Sequence, residues 1–360
     1  MFRVLGKSPD ADPNQISARE ALLVSVGGRV GGGNIAGVAV AITAGGPGAV
    51  FWMWAIALIG MCSALVEATL AQTYKRSEEG GAYRGGPAQA IVHGLGQNYR
   101  WLAVVYAVCL IASFAIGFNA FQGNTVAGAA LDSLAIPRLY TGAFLAIATG
   151  LIVYGGIHRI AKAADVIIPI MAFGYLGMAL IVILLNLTGL PAVIWDIVAN
   201  AFGFREAVAG GMGAAIAQGL RRGLFSNEAG LGSAPNVAAT AYVRHPVSQG
   251  ITQSFSVFID CSSTAFIILL GDVYQPGAEG IDGVALTQQS MVSHVGAWAQ
   301  YFLTAAIFLF SFSSIMYNYY LGENALNFMT KSKMALHVLR LAIIFIVFLG
   351  AVAPGATAVF

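Results

Sequence analysis

Two stretches of the chain put glycine where an apolar helix would otherwise run on. The first reads Val26-Gly27-Gly28-Arg29-Val30-Gly31-Gly32-Gly33-Asn34-Ile35-Ala36-Gly37, and the second Val208-Ala209-Gly210-Gly211-Met212-Gly213-Ala214. A glycine inside a helix costs roughly 1 kcal/mol relative to alanine. Five of the seven residues from Gly27 to Gly33 are glycine, so an interrupted helix is expected there. A break frees peptide groups for chemistry. The N–H groups at the start of a half-helix suit a carboxylate, and unwound carbonyls suit an ammonium group or a metal cation. A zwitterionic amino acid accompanied by Na⁺ would use both. Gly31, Gly33, Asn34 and Ile35 at the first break, and Gly210 and Gly211 at the second, are the expected substrate contacts. Close helix packing through small residues is the plainer use of the same glycines.

Several polar side chains fall within apolar surroundings. Arg29 and Glu67 each sit some 12–15 Å from one membrane surface at ~1.5 Å per residue, which suggests an ion pair that ties two helices together or gates a path. Asp260, near the middle of an apolar run, is a candidate for a cation- or substrate-linked role or for a buried hydrogen bond. Asn34 can satisfy freed backbone groups or contact substrate, and Gln122 can be interhelical glue or pocket wall. Arg222, Asn227 and Glu228 border the expected cytoplasmic face and together could form an inner gate. Ser313 and Ser314 can bond carbonyls one turn back. The five histidines, at 93, 158, 245, 294 and 337, are too dispersed to suggest a metal site. Cys62, Cys109 and Cys261 lie in apolar runs and form no CxxC pair, so neither a disulfide framework nor zinc is indicated.

These groups need a membrane scaffold. The 360 residues are 58% hydrophobic and only 9% charged, whereas soluble domains carry about 25% charged residues. That nearly excludes a soluble enzyme, and a net charge of +2 leaves no basic stripe for nucleic acid. Apolar stretches of about the 20 residues a bilayer requires recur at roughly 18–44, 49–72, 101–131, 139–156, 164–187, 191–220, 249–271, 294–323 and 335–354. Their continuous apolar character favours helices over a barrel. An all-α polytopic protein with about nine transmembrane helices is expected. Residues 1–17 are polar, lack the apolar core of a signal peptide, and read as a cytoplasmic N-terminal segment before one transmembrane domain over 18–355. With the N-terminus inside, the segments 1–19, 72–100, 156–164, 221–247 and 324–340 hold 15 of the 18 Lys and Arg residues. That is the positive-inside signature of a multi-pass membrane protein with its N-terminus in the cytoplasm.

The two interruptions fall in spans 1 and 6, five helices apart and oppositely directed. An odd-numbered repeat inverts its topology, so they occupy matching places in a five-helix inverted repeat, where transporters form their substrate sites. The first repeat would cover 18–187 and the second 191–355, the latter with four spans and so incomplete. HExxH, GxSxG and P-loop signatures are absent, and GxGxxA at Gly31, Gly33 and Ala36 lies in an apolar span, outside the βαβ unit that would give it meaning. Too few spans carry a polar stripe for a channel.

The chain resembles the alanine/glycine:cation symporters, also called sodium:alanine symporters, over roughly residues 16–350. The likeness rests on Gly33-Asn34-Ile35-Ala36-Gly37-Val38, Gly45-Gly46-Pro47-Gly48-Ala49-Val50-Phe51-Trp52-Met53-Trp54 and Tyr83-Arg84-Gly85-Gly86-Pro87. It extends to Arg222-Gly223-Leu224-Phe225-Ser226-Asn227-Glu228-Ala229-Gly230, Phe258-Ile259-Asp260 and Tyr319-Tyr320-Leu321-Gly322-Glu323. The resemblance implies a LeuT-type fold and symport of alanine, glycine or a similar small neutral amino acid with Na⁺, with no enzymatic activity and no cofactor. It further implies a Na⁺ held between carbonyls of the first core helix, around Gly31 and Asn34, and the hydroxyls of Ser313 and Ser314, with Gln122 facing the site. The chain departs from the family pattern at Gly32, where a Thr is usual, and lacks the tenth core helix. A shortened relative that does not transport is therefore the alternative expectation.

Overall fold

The computed structural model describes residues 16–29, 31–78, 82–205, 210–258, 262–276 and 283–353, and these are overwhelmingly helical. A two-residue strand, β1 (Ile16–Ser17), leads into α1 (Ala18–Arg29), then come α2 (Gly32–Gly45) and α3 (Gly48–Thr73). A small hairpin, β2 (Arg76–Ser77) with β3 (Tyr83–Arg84), precedes the short α4 (Pro87–Ala90) and its π-helical continuation Ile91–Leu95. A long span follows, made of α5 (Arg100–Leu110), a π-helical segment (Ile111–Phe118) and α6 (Asn119–Leu134). Next are α7 (Arg138–Val153), α8 (Gly156–Leu185), α9 (Leu190–Ala201), α10 (Gly211–Asn227) and α11 (Ala234–Ala238). The remainder is β4 (Ala241–Tyr242), α12 (Pro246–Phe258), α13 (Ser262–Leu269), α14 (Gly283–Val295), α15 (Trp298–Met329) and α16 (Lys333–Val352).

Among the described residues, five continuous helical stretches are long and apolar enough to cross a bilayer: Gly48–Thr73, Gln97–Leu134, Gly156–Leu185, Trp298–Met329 and Lys333–Val352. A sixth is the pair α1 and α2, bent by 41° at its break. The span expected at 191–220 is corrected. Its first part, α9, has 12 residues and reaches only about 18 Å, and the chain turns before α10 starts at Gly211. The 17-residue α10 and the short α11 follow, with a break between them.

Local sequence explains the start of the bundle. Ser17 and Glu20 cap α1 reciprocally, the Ser17 N–H donating to Glu20 Oε2 at 2.8 Å and the Glu20 N–H to Ser17 Oγ at 3.1 Å, as a Ser-x-x-Glu box should. Parallel pairing of Ile16 with Ala241 and of Ser17 with Tyr242 fastens this end to the chain just after α11. This side of the bundle is termed the N-terminal face; the turn between α2 and α3 lies on the opposite face.

The 32-residue α15 is the axis of the fold. Its Phe310, Tyr317, Tyr319 and Tyr320 are among the largest fully buried side chains, and Ser311, Ser313, Ser314, Asn318 and Glu323 are buried on the same helix. The outer surface is apolar instead: Phe173 is 78% exposed and Leu151 67%. Polar residues inside and apolar ones outside is the distribution lipid imposes, since it offers no hydrogen bonds.

Glycine sets the closest approach between α16 and α6. A Cβ on Gly350 would fall 2.6 Å from the Ala120 Cα and 2.7 Å from its carbonyl carbon, and backbone cannot yield as a side chain can. Gly350→Ala is expected to cost about 1–3 kcal/mol and to lower the thermal midpoint of the detergent-purified protein. Gly177→Ala, whose Cβ would meet nothing within 4 Å, should leave that midpoint unchanged or raise it.

Candidate functional site

The last four carbonyls of a helix lack intrahelical partners, and at the end of α1 these belong to residues 26–29. Ser313 Oγ donates to the Gly27 carbonyl at 2.8 Å, and Ser314 Oγ lies 3.1 and 3.2 Å from the Gly27 and Gly28 carbonyls. The Arg29 carbonyl accepts the Gly31 N–H at 3.0 Å and the side-chain amide of Asn34. Gly31 then caps α2 in an extended conformation (φ −103°, ψ 174°). A Cβ at Gly31 would press to 2.5 Å from Ser314 Oγ and 3.0 Å from Gln122 Nε2, which puts these three residues side by side.

The second interruption separates α10 from α11. Glu228 leaves α10 in the left-handed conformation (φ 47°, ψ 20°), and Gly230 (φ 89°) and Gly232 (φ 75°) continue the turn. Such backbone in a non-glycine residue persists only when its surroundings hold it. Here the fully enclosed Glu228 carboxylate accepts from Ser233 Oγ at 2.7 Å, across the break, and from Tyr317 Oη at 2.9 Å on α15. Pro235 stands in the first turn of α11, where its missing N–H costs nothing.

The two breaks face each other across one small cavity. Its wall is made by Gly28, Arg29, Gly31 and Asn34 from the first, Phe225 and Glu228 from the second, and Phe118, Gln122 and Asn318 from neighbouring helices. Gln122 Oε1 is buried there with no hydrogen-bond partner. The space admits little more than one water centre, about 10 Å³, so the site is nearly closed. A stack of rings covers it: Phe118 lies 5.1 Å from Phe225 at 13°, and Phe114 lies 4.6 Å from Phe118 at 9°.

Structure therefore assembles Gly31, Asn34, Gln122, Arg29 and Glu228 around the cavity, with Ser313 and Ser314 against the adjoining carbonyls. Two hydroxyls and two peptide carbonyls form a neutral, hard oxygen set, which fits a weakly demanding monovalent cation such as Na⁺. Gly33 stands in the first turn of α2. Ile35 is turned into the main apolar core.

Other expectations are corrected. Gly210, the N-cap of α10 (φ 96°), and Gly211 (φ 48°) turn the chain into that helix and do not line the cavity. A glycine cluster serves a helix start as readily as a break, and the signal missed was Gly230-x-Gly232 followed by Pro235. Arg29 and Glu67 form no ion pair within 4 Å. Arg29 Nη1 donates to the Gln253 carbonyl at 3.2 Å and to Ser256 Oγ, while Glu67 Oε2 accepts the Gly230 N–H at 3.3 Å. Equal depth does not give two helices the same facing side, and the break's free N–H claims the carboxylate. Arg222 and Arg221 lie on α10, which descends from the face opposite the N-terminus: Gly45 adjoins Ala214 and Gln218, Gly37 adjoins Arg222, and Gly223 adjoins Met53. An inner gate of Arg222 with Glu228 is thereby removed, and Asn227 is buried at the last position of α10. Asp260 lies outside the described residues.

Ionic contact at the N-terminal face uses Arg84 and Glu323, noted above only as motif members, together with Glu78 and Lys331. Arg84 binds Glu78 at 2.6 Å and Glu323, on α15, at 2.9 Å, and Lys331 approaches Glu78 at 3.3 Å. Beside them Asn324 Nδ2 donates to the Gly85 carbonyl (2.8 Å) and to Asn236 Oδ1 (2.7 Å) on α11.

The family profile described as the sodium:alanine symporter family matches residues 1–360. The chain belongs to the sodium:alanine symporter family. It is 47% identical over 354 residues to the amino-acid carrier protein AlsT of Bacillus subtilis, covering 97% of this chain and 74% of that one. It is 48% identical to the probable sodium/glutamine symporter GlnT of the same organism, over 98% of this chain and 74% of the relative. The sodium/proton-dependent alanine carrier protein of Bacillus sp. PS3 is 34% identical, over 98% and 82% respectively. The crystal structure of MhsT in complex with L-phenylalanine superimposes with a TM-score of 0.68 at 13% identity, covering 95% of this chain and 81% of that one. The fold is thus LeuT-type, and this symporter is a multi-pass membrane transporter of amino acids, not an enzyme.

Burial raises the Glu78 carboxyl, but the Arg84 guanidinium and the Lys331 ammonium outweigh that and hold it below its ordinary value. Its stabilising contribution is therefore full above the unfolded value of about 4.3 and is lost as the pH falls through the lower folded value. Thermal unfolding of wild type should fall faster between about pH 5 and 3 than that of Glu78→Gln, which lacks the group.

Proposed function

We propose that this symporter carries a small neutral amino acid, alanine or glycine, together with Na⁺ across the bacterial cytoplasmic membrane by alternating access, with the N-terminal face inside. The observation that carries this reading is the convergence of both breaks on one cavity whose edge is the Ser313–Ser314 contact with the Gly27 and Gly28 carbonyls. The substrate carboxylate would meet the N–H groups opening α2, where the half-helix dipole is positive. The ammonium group would meet freed carbonyls and the Glu228 side. Na⁺, the co-transported ion, would replace the serine hydrogen bonds with direct oxygen contacts. Small size follows from Gly31, wedged between Ser314 and Gln122, and from the Phe118–Phe225 lid.

Alternating access needs one closure on each side of the cavity. Arg84 with Glu323 closes the N-terminal face, and the Phe118–Phe225 pair lies over the cavity itself. Energy is adequate: one Na⁺ crossing 100 mV supplies about 2.3 kcal/mol, enough for roughly 40-fold accumulation.

The test is alanine uptake into proteoliposomes holding the purified chain. An inward Na⁺ gradient should drive accumulation, and Ser314→Ala should raise the Na⁺ concentration for half-maximal uptake by about tenfold, a loss of ~1.4 kcal/mol. Uptake indifferent to Na⁺, K⁺ and choline would refute coupling. Glutamine, the substrate named for one relative, belongs in the competition panel, and alanine is expected to displace it. Glu323→Gln should weaken the inner closure and raise the reactivity of a cysteine placed at Asn318 toward a reagent added on the N-terminal face.

A further inference from the structure

Behind the second break lies a larger cavity, of about 560 Å³, that the transport reading does not use. Its volume falls within the range of small-molecule sites. Leu70, Ala71, Pro87 and Ile91 give it aliphatic walls, and Tyr74 and Tyr106 contribute rings. Glu67 is the only charged residue among the described residues that line it. Leu70, Leu95 and Leu231, which line it, are 44%, 60% and 44% exposed, so it opens at the molecular surface between apolar side chains.

The back wall of this cavity is the substrate-side loop itself, Gly230, Leu231 and Gly232. Two cavity residues hold that loop by its backbone: Glu67 accepts the Gly230 N–H at 3.3 Å, and Tyr106 Oη donates to the Gly232 carbonyl at 2.7 Å. Glu228, two residues before Gly230, lines the central cavity on the other side.

We propose that this cavity is a second binding site, for a hydrophobic amine that enters from the lipid, sets its ammonium group against Glu67 and thereby immobilises the loop of the second break. Charge selects the occupant. A carboxylate accompanied by no lining Lys or Arg repels a fatty-acid headgroup and attracts an ammonium, which the faces of Tyr74 and Tyr106 also favour through cation–π attraction. An alkyl tail fills the aliphatic remainder. Because the amine does not overlap the amino-acid site, it lowers the maximal rate and leaves KM for the amino acid unchanged.

Decylamine, decanol and decanoate, added to the full chain in proteoliposomes, test this. Decylamine is expected to inhibit alanine uptake at about one tenth the concentration of decanol, with decanoate weaker still. Glu67→Gln should erase the difference between amine and alcohol, which also controls for effects on the bilayer. Ala90→Phe, which fills the cavity without touching the central site, should remove inhibition and leave basal uptake unchanged. In parallel, decylamine should raise the thermal midpoint of the purified protein in detergent, and Ala90→Phe should abolish the rise. Equal potency of amine and alcohol, an amine preference that survives in Glu67→Gln, or inhibition relieved by excess alanine would overturn the proposal. Should the chain show no alanine uptake, the transport reading fails, and the thermal shift with its Ala90→Phe control still decides this one.

Discussion

A peptide group that leaves a helix inside a bilayer has no water to turn to, and each one left unpaired costs several kcal/mol. Two breaks in one bundle therefore dictate where polar side chains must stand. At the first, Ser313, Ser314 and Asn34 answer the carbonyls of Gly27, Gly28 and Arg29. At the second, Glu67 answers the Gly230 N–H, Tyr106 answers the Gly232 carbonyl, and Glu228 ties Ser233 to Tyr317. The helix that supplies much of this, α15, is accordingly the most enclosed of the long spans and carries the richest polar content. The same groups that neutralise the broken backbone are those a bound zwitterion and cation would engage, so opening the site and holding it together draw on one set of bonds.

The cavity and its exit toward the N-terminal face are closed by different physics. Over the cavity the closure is aromatic, with Phe225 of α10 stacked on Phe118 and Phe118 on Phe114; the latter two belong to the π-helical segment Ile111–Phe118, a geometry that often marks functional positions. Toward the N-terminal face it is ionic and amide-based, with Arg84 between Glu78 and Glu323 and Asn324 bridging Gly85 and Asn236. Ring stacking separates without leaving charge behind. A buried guanidinium parted from its carboxylates does leave charge, and water must enter to compensate. Opening at the N-terminal face thus demands hydration that parting the rings does not.

Much of this was legible in the chain. Composition nearly excluded a soluble enzyme, the motifs around Asn34 and Glu228 placed the family and with it the LeuT-type fold, and the glycine run at Gly27–Gly33 located the first break. The second break was misread. Gly210 and Gly211 are as glycine-rich as a break, yet they begin a helix, while the interruption itself is marked more faintly by Gly230, Gly232 and Pro235. Arg29 and Glu67 were matched by depth, and Arg222 was assigned to a face from a span boundary that proved to lie elsewhere.

Local sequence acts through quantities that need no partner: the free energy of putting side chains in lipid, the backbone freedom of glycine, the length of an apolar run. These determined that the chain crosses a membrane repeatedly and that its first helix cannot run unbroken. Which side of a helix faces which neighbour depends on packing among residues hundreds of positions apart, as when Arg84 meets Glu323 or Ser314 meets Gly28. Only the tertiary structure decided that Glu67 serves the second break, that Glu228 is held by Tyr317, and that two motifs distant in the chain form one ionic closure, because rotation about a helix axis is set by contacts no single segment contains.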